Sequence, residues 1–219
     1  MVLILYMHEV SPGVRATLLT AAALGINIDK KIGVDLINRE HFGASFTKRN
    51  PARTVPSLED DGFIVNDSHV ILPYLADKYG ENDDLYPKDL QKRSKVNYIL
   101  QFDNGILFPV LYSIAMNIYK NISKEPTEKD LDAAYRAYDI LESLLDNHSY
   151  TAGDFLSIGD FSVITTMSSM NHLVPVDAKE YRKITAWMKM MKQLPYYHYN
   201  QDGLEKHIAL LEEYRAKFE

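Results

Sequence analysis

The apolar pattern of this chain changes period once, near residue 80. Before that point, short apolar runs alternate with stretches of helical spacing. After it, apolar residues recur almost wholly at intervals of three and four. A chain that switches pattern in this way divides into a mixed α/β part and an all-helical part. The predicted bounds are 1–80 for the first domain, 81–87 for a linker reading Glu-Asn-Asp-Asp-Leu-Tyr-Pro, and 88–219 for the second domain. With 219 residues, 46% of them hydrophobic, the chain can fill two small cores.

In the first part, residues 2–7 and 28–34 read as strands, joined by a helix that starts at Ser11 and ends near Gly25. A helical stretch follows over 39–50. Strands over 55–59 and 63–66 flank Asp60-Asp61-Gly62, whose Asp-Gly step is a hairpin signal, and a last helix covers about 67–78. The order βαβαββα is that of the thioredoxin fold, a mixed sheet with helices on both faces.

In the second part, 90–119 reads as one long helix. Thr127 with Asp130 forms a near capping box for a helix whose apolar stripe is Leu131, Ala134, Tyr138, Leu141 and Leu145. Ser157-Ile158-Gly159-Asp160 repeats the arrangement, with Leu156 and Phe161 placed as a hydrophobic staple, and opens a buried helix over 157–173. Amphipathic stretches over 180–194 and 203–217 supply two more helices.

Charge and composition narrow the function. A net charge of −6 and no basic run argue against nucleic-acid binding. No apolar stretch reads as long enough for a membrane span and no secretory signal is evident, so the expected compartment is the cytoplasm. Zero cysteines exclude a disulfide framework, thiolate zinc sites and a cysteine nucleophile, and no metal is expected. Any sulfur chemistry must use a ligand's sulfur.

Three segments carry polar groups suited to such a ligand. Ser11-Pro12 follows a strand and opens a helix, where unpaired N–H groups and a partial positive charge favour an anion, and a serine hydroxyl can donate to a thiolate. Thr54-Val55-Pro56 places Val-Pro before a strand, the position of a cis proline in a thioredoxin-like sheet. There the Val55 backbone would be free to pair with an extended peptide. Asp67-Ser68-His69 opens the next helix with a carboxylate, a hydroxyl and free amides, suited to an amino-acid end. His41 and Arg53 stand near these loops and could meet a second carboxylate. Taken singly, each feature is also an ordinary helix start, an edge proline, a helix cap or a solvated side chain. Together they describe a slot for a short thiol-bearing peptide with a carboxylate at each end, and glutathione fits it.

Over essentially its full length the chain resembles cytosolic glutathione transferases, most closely the insect delta and epsilon classes. The residues that carry the likeness are Ser11-Pro12, Asn50-Pro51 through Val55-Pro56, Asp67-Ser68-His69, Leu85-Tyr86-Pro87, Ser157 to Asp160, and Gln193-Leu194-Pro195-Tyr196-Tyr197. His69 and the last of these favour epsilon. The resemblance implies that Ser11 activates the thiol of glutathione, the co-substrate. It also implies that Val55 pairs with the cysteinyl backbone, that Asp67 and Ser68 hold the γ-glutamyl end, and that His41 lies near the glycine carboxylate. Arg53 stands where family members carry a histidine, Asp67 where they carry glutamate, and Tyr112 where some epsilon members carry arginine.

The acceptor pocket is expected between the Ser11 loop and the long helix, lined by Leu36, Phe108, Leu111, Tyr112, Ala115, Met116 and Tyr119. Plain helix core is the alternative for Leu111 and Ala115. Conjugation of hydrophobic electrophiles is the implied activity, with peroxidase or dehydrochlorinase activity beside it, in a homodimer. The other reading is a binding protein that sequesters steroids, haem-like compounds or pigments on the same fold.

Overall fold

The computed structural model describes residues 2–218. Strand β1 (Leu3–Met7) alternates buried Leu3, Leu5 and Met7 with half-exposed Ile4 and Tyr6, the period of a strand with one face on a core. Helix α1 (Pro12–Ala23) and the parallel strand β2 (Lys30–Gly33) complete a βαβ unit. A 3₁₀ turn at Glu40–Phe42 and the short α2 (Ala44–Arg49) lead to the hairpin of β3 (Ser57–Asp60) and β4 (Phe63–Asn66), and α3 (Ser68–Tyr79) follows. The sheet order is β2-β1-β3-β4, with β3 antiparallel to both neighbours and Leu58 opposite Leu5. This is the thioredoxin-like domain read from the sequence.

Local differences have local causes. β2 is an exposed edge strand shorter than 28–34, and Ile28 and Val34 are buried anchors outside it. β3 starts at Ser57, two residues later than expected, because Pro56 has no N–H for the ladder. The stretch 39–50 is split by Gly43, whose extended backbone ends the 3₁₀ turn and caps α2.

In the helical half, Leu90–Tyr119 is one continuous helical run. It is not uniform: α4 (Leu90–Phe102) widens into a π turn at Asp103–Leu107 before α5 (Phe108–Tyr119). Pro109, which cannot donate to the carbonyl four residues back, stands two residues past the wide turn. Contrary to the sequence reading, this run is long and apolar enough to cross a bilayer by length and composition. Its residues Leu107, Leu111, Ile114 and Ile118 are instead buried in the helical core.

Helix α6 (Glu128–Leu144) begins at the Thr127 capping box, in which the Thr127 hydroxyl accepts from the Asp130 amide at 3.2 Å and the Asp130 carboxylate accepts from the Thr127 amide at 3.0 Å. Helix α7 (Ile158–Leu173) is buried nearly all round and is capped by Ser157 and Asp160. Asp160 also accepts from the Thr151 amide at 2.9 Å and the Trp187 indole at 3.1 Å, so one buried carboxylate organises three segments. Helix α8 (Arg182–Met191) is shorter than expected, and α9 (His198–Arg215) begins five residues before Gly203, which lies inside it.

One apolar cluster, with Leu3, Leu5, Val14, Leu58, Ile71 and Leu75, fills the space between the sheet and helices α1 and α3. The other fills the helical half and takes in Ala16 and Leu19 of α1 and Leu72 and Ala76 of α3. Both helices are therefore packed on two sides, by the sheet and by the helical half. Any site at their N-termini is held by both halves of the molecule.

Candidate functional site

Ser11 occupies the N-cap of α1 with extended backbone angles, φ −70° and ψ 124°, and Pro12 takes the first helical position. Its hydroxyl makes no capping bond to α1; among the described residues it donates only a long 3.4 Å bond to the Val55 carbonyl. No acidic residue lies in the first turn, so the positive end of the helix is not neutralised locally. Among the described residues, the Val55 amide has no hydrogen-bond partner.

Asp67 caps α3 with its backbone at φ +74°, and its carboxylate accepts from the His69 amide at 2.8 Å. The hydrogen bond from the His69 imidazole, helped by this amide and against the opposing effect of burial, holds the Asp67 carboxyl below its usual range. Ser68 is buried at the first helical position. Gly13 joins the three segments. A Cβ at this position would lie 2.7 Å from the Ser68 hydroxyl oxygen and 3.2 Å from Pro56 Cδ, so only glycine lets α1, α3 and the Val55–Pro56 loop converge. The sequence reading passed over Gly13. Its place one residue after the helix-opening proline was the available signal.

The loop carrying Arg53 is shaped by buried Asn50, whose side chain donates to the Thr54 carbonyl at 2.8 Å and accepts from the Ala52 amide at 3.0 Å. Arg53 adopts φ +58°, and its guanidinium stands 5.3 Å from the centre of the Phe42 ring. The His41 ring lies tilted against the same ring, with centroids 4.4 Å apart, and Arg39 is 4.7 Å from it, so Phe42 gathers His41, Arg39 and Arg53. Burial first, and Arg39 second, lower the His41 pKa.

His69 bridges two carboxylates. Its Nδ1 meets Asp67 and its Nε2 meets Asp103 of the π turn, each at 3.1 Å. Ser162 of α7 donates a short bond to the same Asp103 oxygen. Burial opposes a charge on His69, but the two carboxylates outweigh it and lift its pKa to about 9. A second link lies at Arg15, whose guanidinium is wholly buried and donates to Asn200 of α9 and Ser169 of α7 at 2.6 Å each.

The expected acceptor residues separate into two stripes of the long helix. Phe108 and Met116 are half-buried and Tyr112 is 56% exposed, with the Phe108 and Tyr112 rings 6.1 Å apart. Leu111 and Ala115 belong instead to the buried stripe with Ile114 and Ile118, because each stands one residue, about 100° of helical turn, before Tyr112 and Met116. Tyr119 is half-buried and its hydroxyl lies 3.3 Å from His207 Nδ1. Leu36 is half-buried in the loop after β2.

Residues 5–83 match the family description "Glutathione S-transferase, N-terminal domain" and residues 103–195 match "Glutathione S-transferase, C-terminal domain". The chain belongs to the glutathione S-transferase family. The transferase is 38% identical to glutathione S-transferase 1 of Manduca sexta over 198 residues, 90% of this chain and 91% of that protein. Among solved structures it is similar to an epsilon-class glutathione S-transferase from the housefly, Musca domestica, with 38% identity and a TM-score of 0.93, covering 97% of this chain and 98% of that one. It is also similar to a Drosophila mojavensis glutathione transferase homolog solved with bound glutathione, with 42% identity, a TM-score of 0.93 and 97% of both chains covered. The transferase is thus an enzyme of the insect epsilon type, in a family whose co-substrate is glutathione.

Proposed function

We propose that this transferase ionises the glutathione thiol through Ser11 and conjugates it to hydrophobic electrophiles. The observation that carries this reading is the Ser11 hydroxyl, which is not used as a helix cap and sits at a helix N-terminus with no acidic residue in its first turn. A hydrogen bond to a thiolate contributes roughly 1.5–3 kcal/mol and the helix end roughly 0.3–1 kcal/mol, together enough to lower the thiol pKa by about 1 to 3. No protein base is needed, because the proton leaves to water or to the peptide's own carboxylate.

The convergent segments fit an extended tripeptide. In this reading Val55 pairs with the cysteinyl backbone, Asp67 meets the γ-glutamyl ammonium, and Ser68 with the α3 N-terminus meets its carboxylate. His41 and Arg53 take the glycine carboxylate, and His69 acts by holding Asp67. Thr54 and Pro56 shape the loop that presents Val55. Leu36, Phe108, Tyr112 and Met116 form the apolar wall for the acceptor, and the same thiolate would attack a peroxide oxygen. The family resemblance implies that the transferase acts as a homodimer.

Turnover of a chloronitrobenzene acceptor by the wild type and by Ser11→Ala tests the reading, with glutathione affinity measured in parallel. The expected result is retained binding with conjugation lowered about ten- to a hundredfold at neutral pH in the variant. Tight glutathione binding with no turnover in either protein would replace the enzyme reading with ligand sequestration.

A further inference from the structure

The turn that carries Ser11 also carries an imidazole with no role so far. The Ser11 amide donates to the His8 carbonyl at 3.0 Å, closing the four-residue turn His8-Glu9-Val10-Ser11, so the two ends stand within about 7 Å. The turn is fixed on both sides. The Val34 amide donates to the Met7 carbonyl at 2.8 Å, which brings Asp35 and Leu36 alongside, and Lys206 of α9 is ion-paired to Glu9. The His8 ring is half-buried, with Nδ1 buried and unpartnered among the described residues, leaving Nε2 as the nitrogen open to solvent.

A charged imidazolium would leave a buried N–H unpaired at Nδ1, whereas the neutral ring with its proton on Nε2 leaves only a lone pair there. Burial, the largest influence, lowers the pKa of His8; Asp35 and Glu9 oppose this and Lys206 reinforces it. The result is a neutral N–H donor on the closed turn whose last residue is Ser11.

Resting on the function proposed above, we propose that His8 Nε2–H donates to the oxygen that turns negative when the thiolate adds to an α,β-unsaturated aldehyde or ketone. The sulfur forms a bond to the β-carbon. The C=C pair becomes the enolate C=C between the α-carbon and the carbonyl carbon, and the carbonyl π pair moves to oxygen, where His8 donates. The α-carbon then takes a proton from water, and the resulting hydroxide is neutralised by the proton the thiol released on ionising. Displacement of halide from a saturated carbon creates no such oxygen anion, so His8 acts as a specificity determinant toward enals and enones.

The test compares kcat/KM for trans-2-nonenal and for benzyl chloride in the wild type, His8→Leu and His8→Gln. The enal-to-chloride ratio falls about ten- to a hundredfold in His8→Leu and recovers to within about threefold in His8→Gln, whose amide restores a donor. Nitrogen NMR of the wild-type imidazole gives a readout independent of turnover and of any variant: His8 shows an unprotonated Nδ1 and a protonated Nε2. An unchanged ratio in His8→Leu, equal loss on both substrates, or a proton on Nδ1 would overturn the proposal. Failure of the wild type to turn over either acceptor would instead sink the conjugation reading beneath it.

Discussion

His69 Nε2 lies 3.1 Å from Asp103 Oδ2, so a histidine of the thioredoxin-like half is tied to the π turn of the helical half. The two partners are nearly buried, and Asp67 holds the other ring nitrogen, so the ring is charged in the folded protein. Its pKa of about 9 lies above the unfolded value of 6.5. The stabilisation is therefore complete below about pH 6.5 and is lost as pH rises through 9, with a ceiling on the order of 3 kcal/mol. His69→Gln is expected to lower the urea midpoint clearly at pH 6.5 and much less at pH 10. An equal gap at the two pH values would show that the charge contributes nothing.

Gly13 stands where the three binding segments meet, and the cost of a side chain there falls on function. A Cβ would lie 2.7 Å from the Ser68 oxygen and 3.0 Å from the Ser68 Cβ, with Pro56 at 3.2 Å behind it. Helix propensity favours Gly13→Ala by roughly 0.5–1 kcal/mol, which offsets part of an overpacking cost of about 1–3 kcal/mol, so overall stability falls modestly while the N-termini of α1 and α3 are pushed apart. Calorimetry should then find glutathione affinity weakened about tenfold or more, a loss of about 1.4 kcal/mol. Affinity within twofold of wild type would refute the convergence.

Asp67→Asn separates charge from geometry. Asparagine tolerates positive φ and can cap α3 as aspartate does, so the backbone at φ +74° and the bond to the His69 amide are preserved. What is lost is the negative charge assigned to the γ-glutamyl ammonium and half of the carboxylate clamp on His69. Glutathione affinity falls about tenfold, with the helical content of the far-ultraviolet spectrum unchanged. Full affinity in the variant would remove Asp67 from the binding role.

What was legible in the sequence is what local chemistry dictates. Ser11-Pro12 after an apolar strand, Val55-Pro56 before another, and the Thr127 and Ser157 capping boxes all announce themselves within four residues, and each is where it was expected. Choices made by distant contacts were not legible. Leu111 and Ala115 are as apolar as Phe108 and Met116, and only the packing of α5 against α6, α7 and α9 decides which stripe is buried. The link from His69 to Asp103 was not legible because the two residues stand 34 positions apart. His8 offered a local signal that went unread, a titratable residue opening the turn that ends at Ser11.

Gly203 poses a contest between two effects of opposite sign. In an exposed helix interior, replacing glycine with alanine stabilises by roughly 0.8–1 kcal/mol. Here a Cβ would stand 2.5 Å from the Glu9 carbonyl oxygen and 2.7 Å from Arg15 Cδ. Neither neighbour yields readily: Glu9 lies in the closed turn ahead of Ser11, and Arg15 is fully buried with its guanidinium bonded to α7 and α9. Overpacking of this kind costs about 1–3 kcal/mol, which exceeds the propensity gain. Gly203→Ala is therefore expected to lower the denaturation midpoint and, by moving α9 away from the His8–Ser11 turn, to lower conjugation as well. A variant more stable than wild type by about 1 kcal/mol would mean that propensity wins and that α9 is not packed tightly against the turn that carries Ser11.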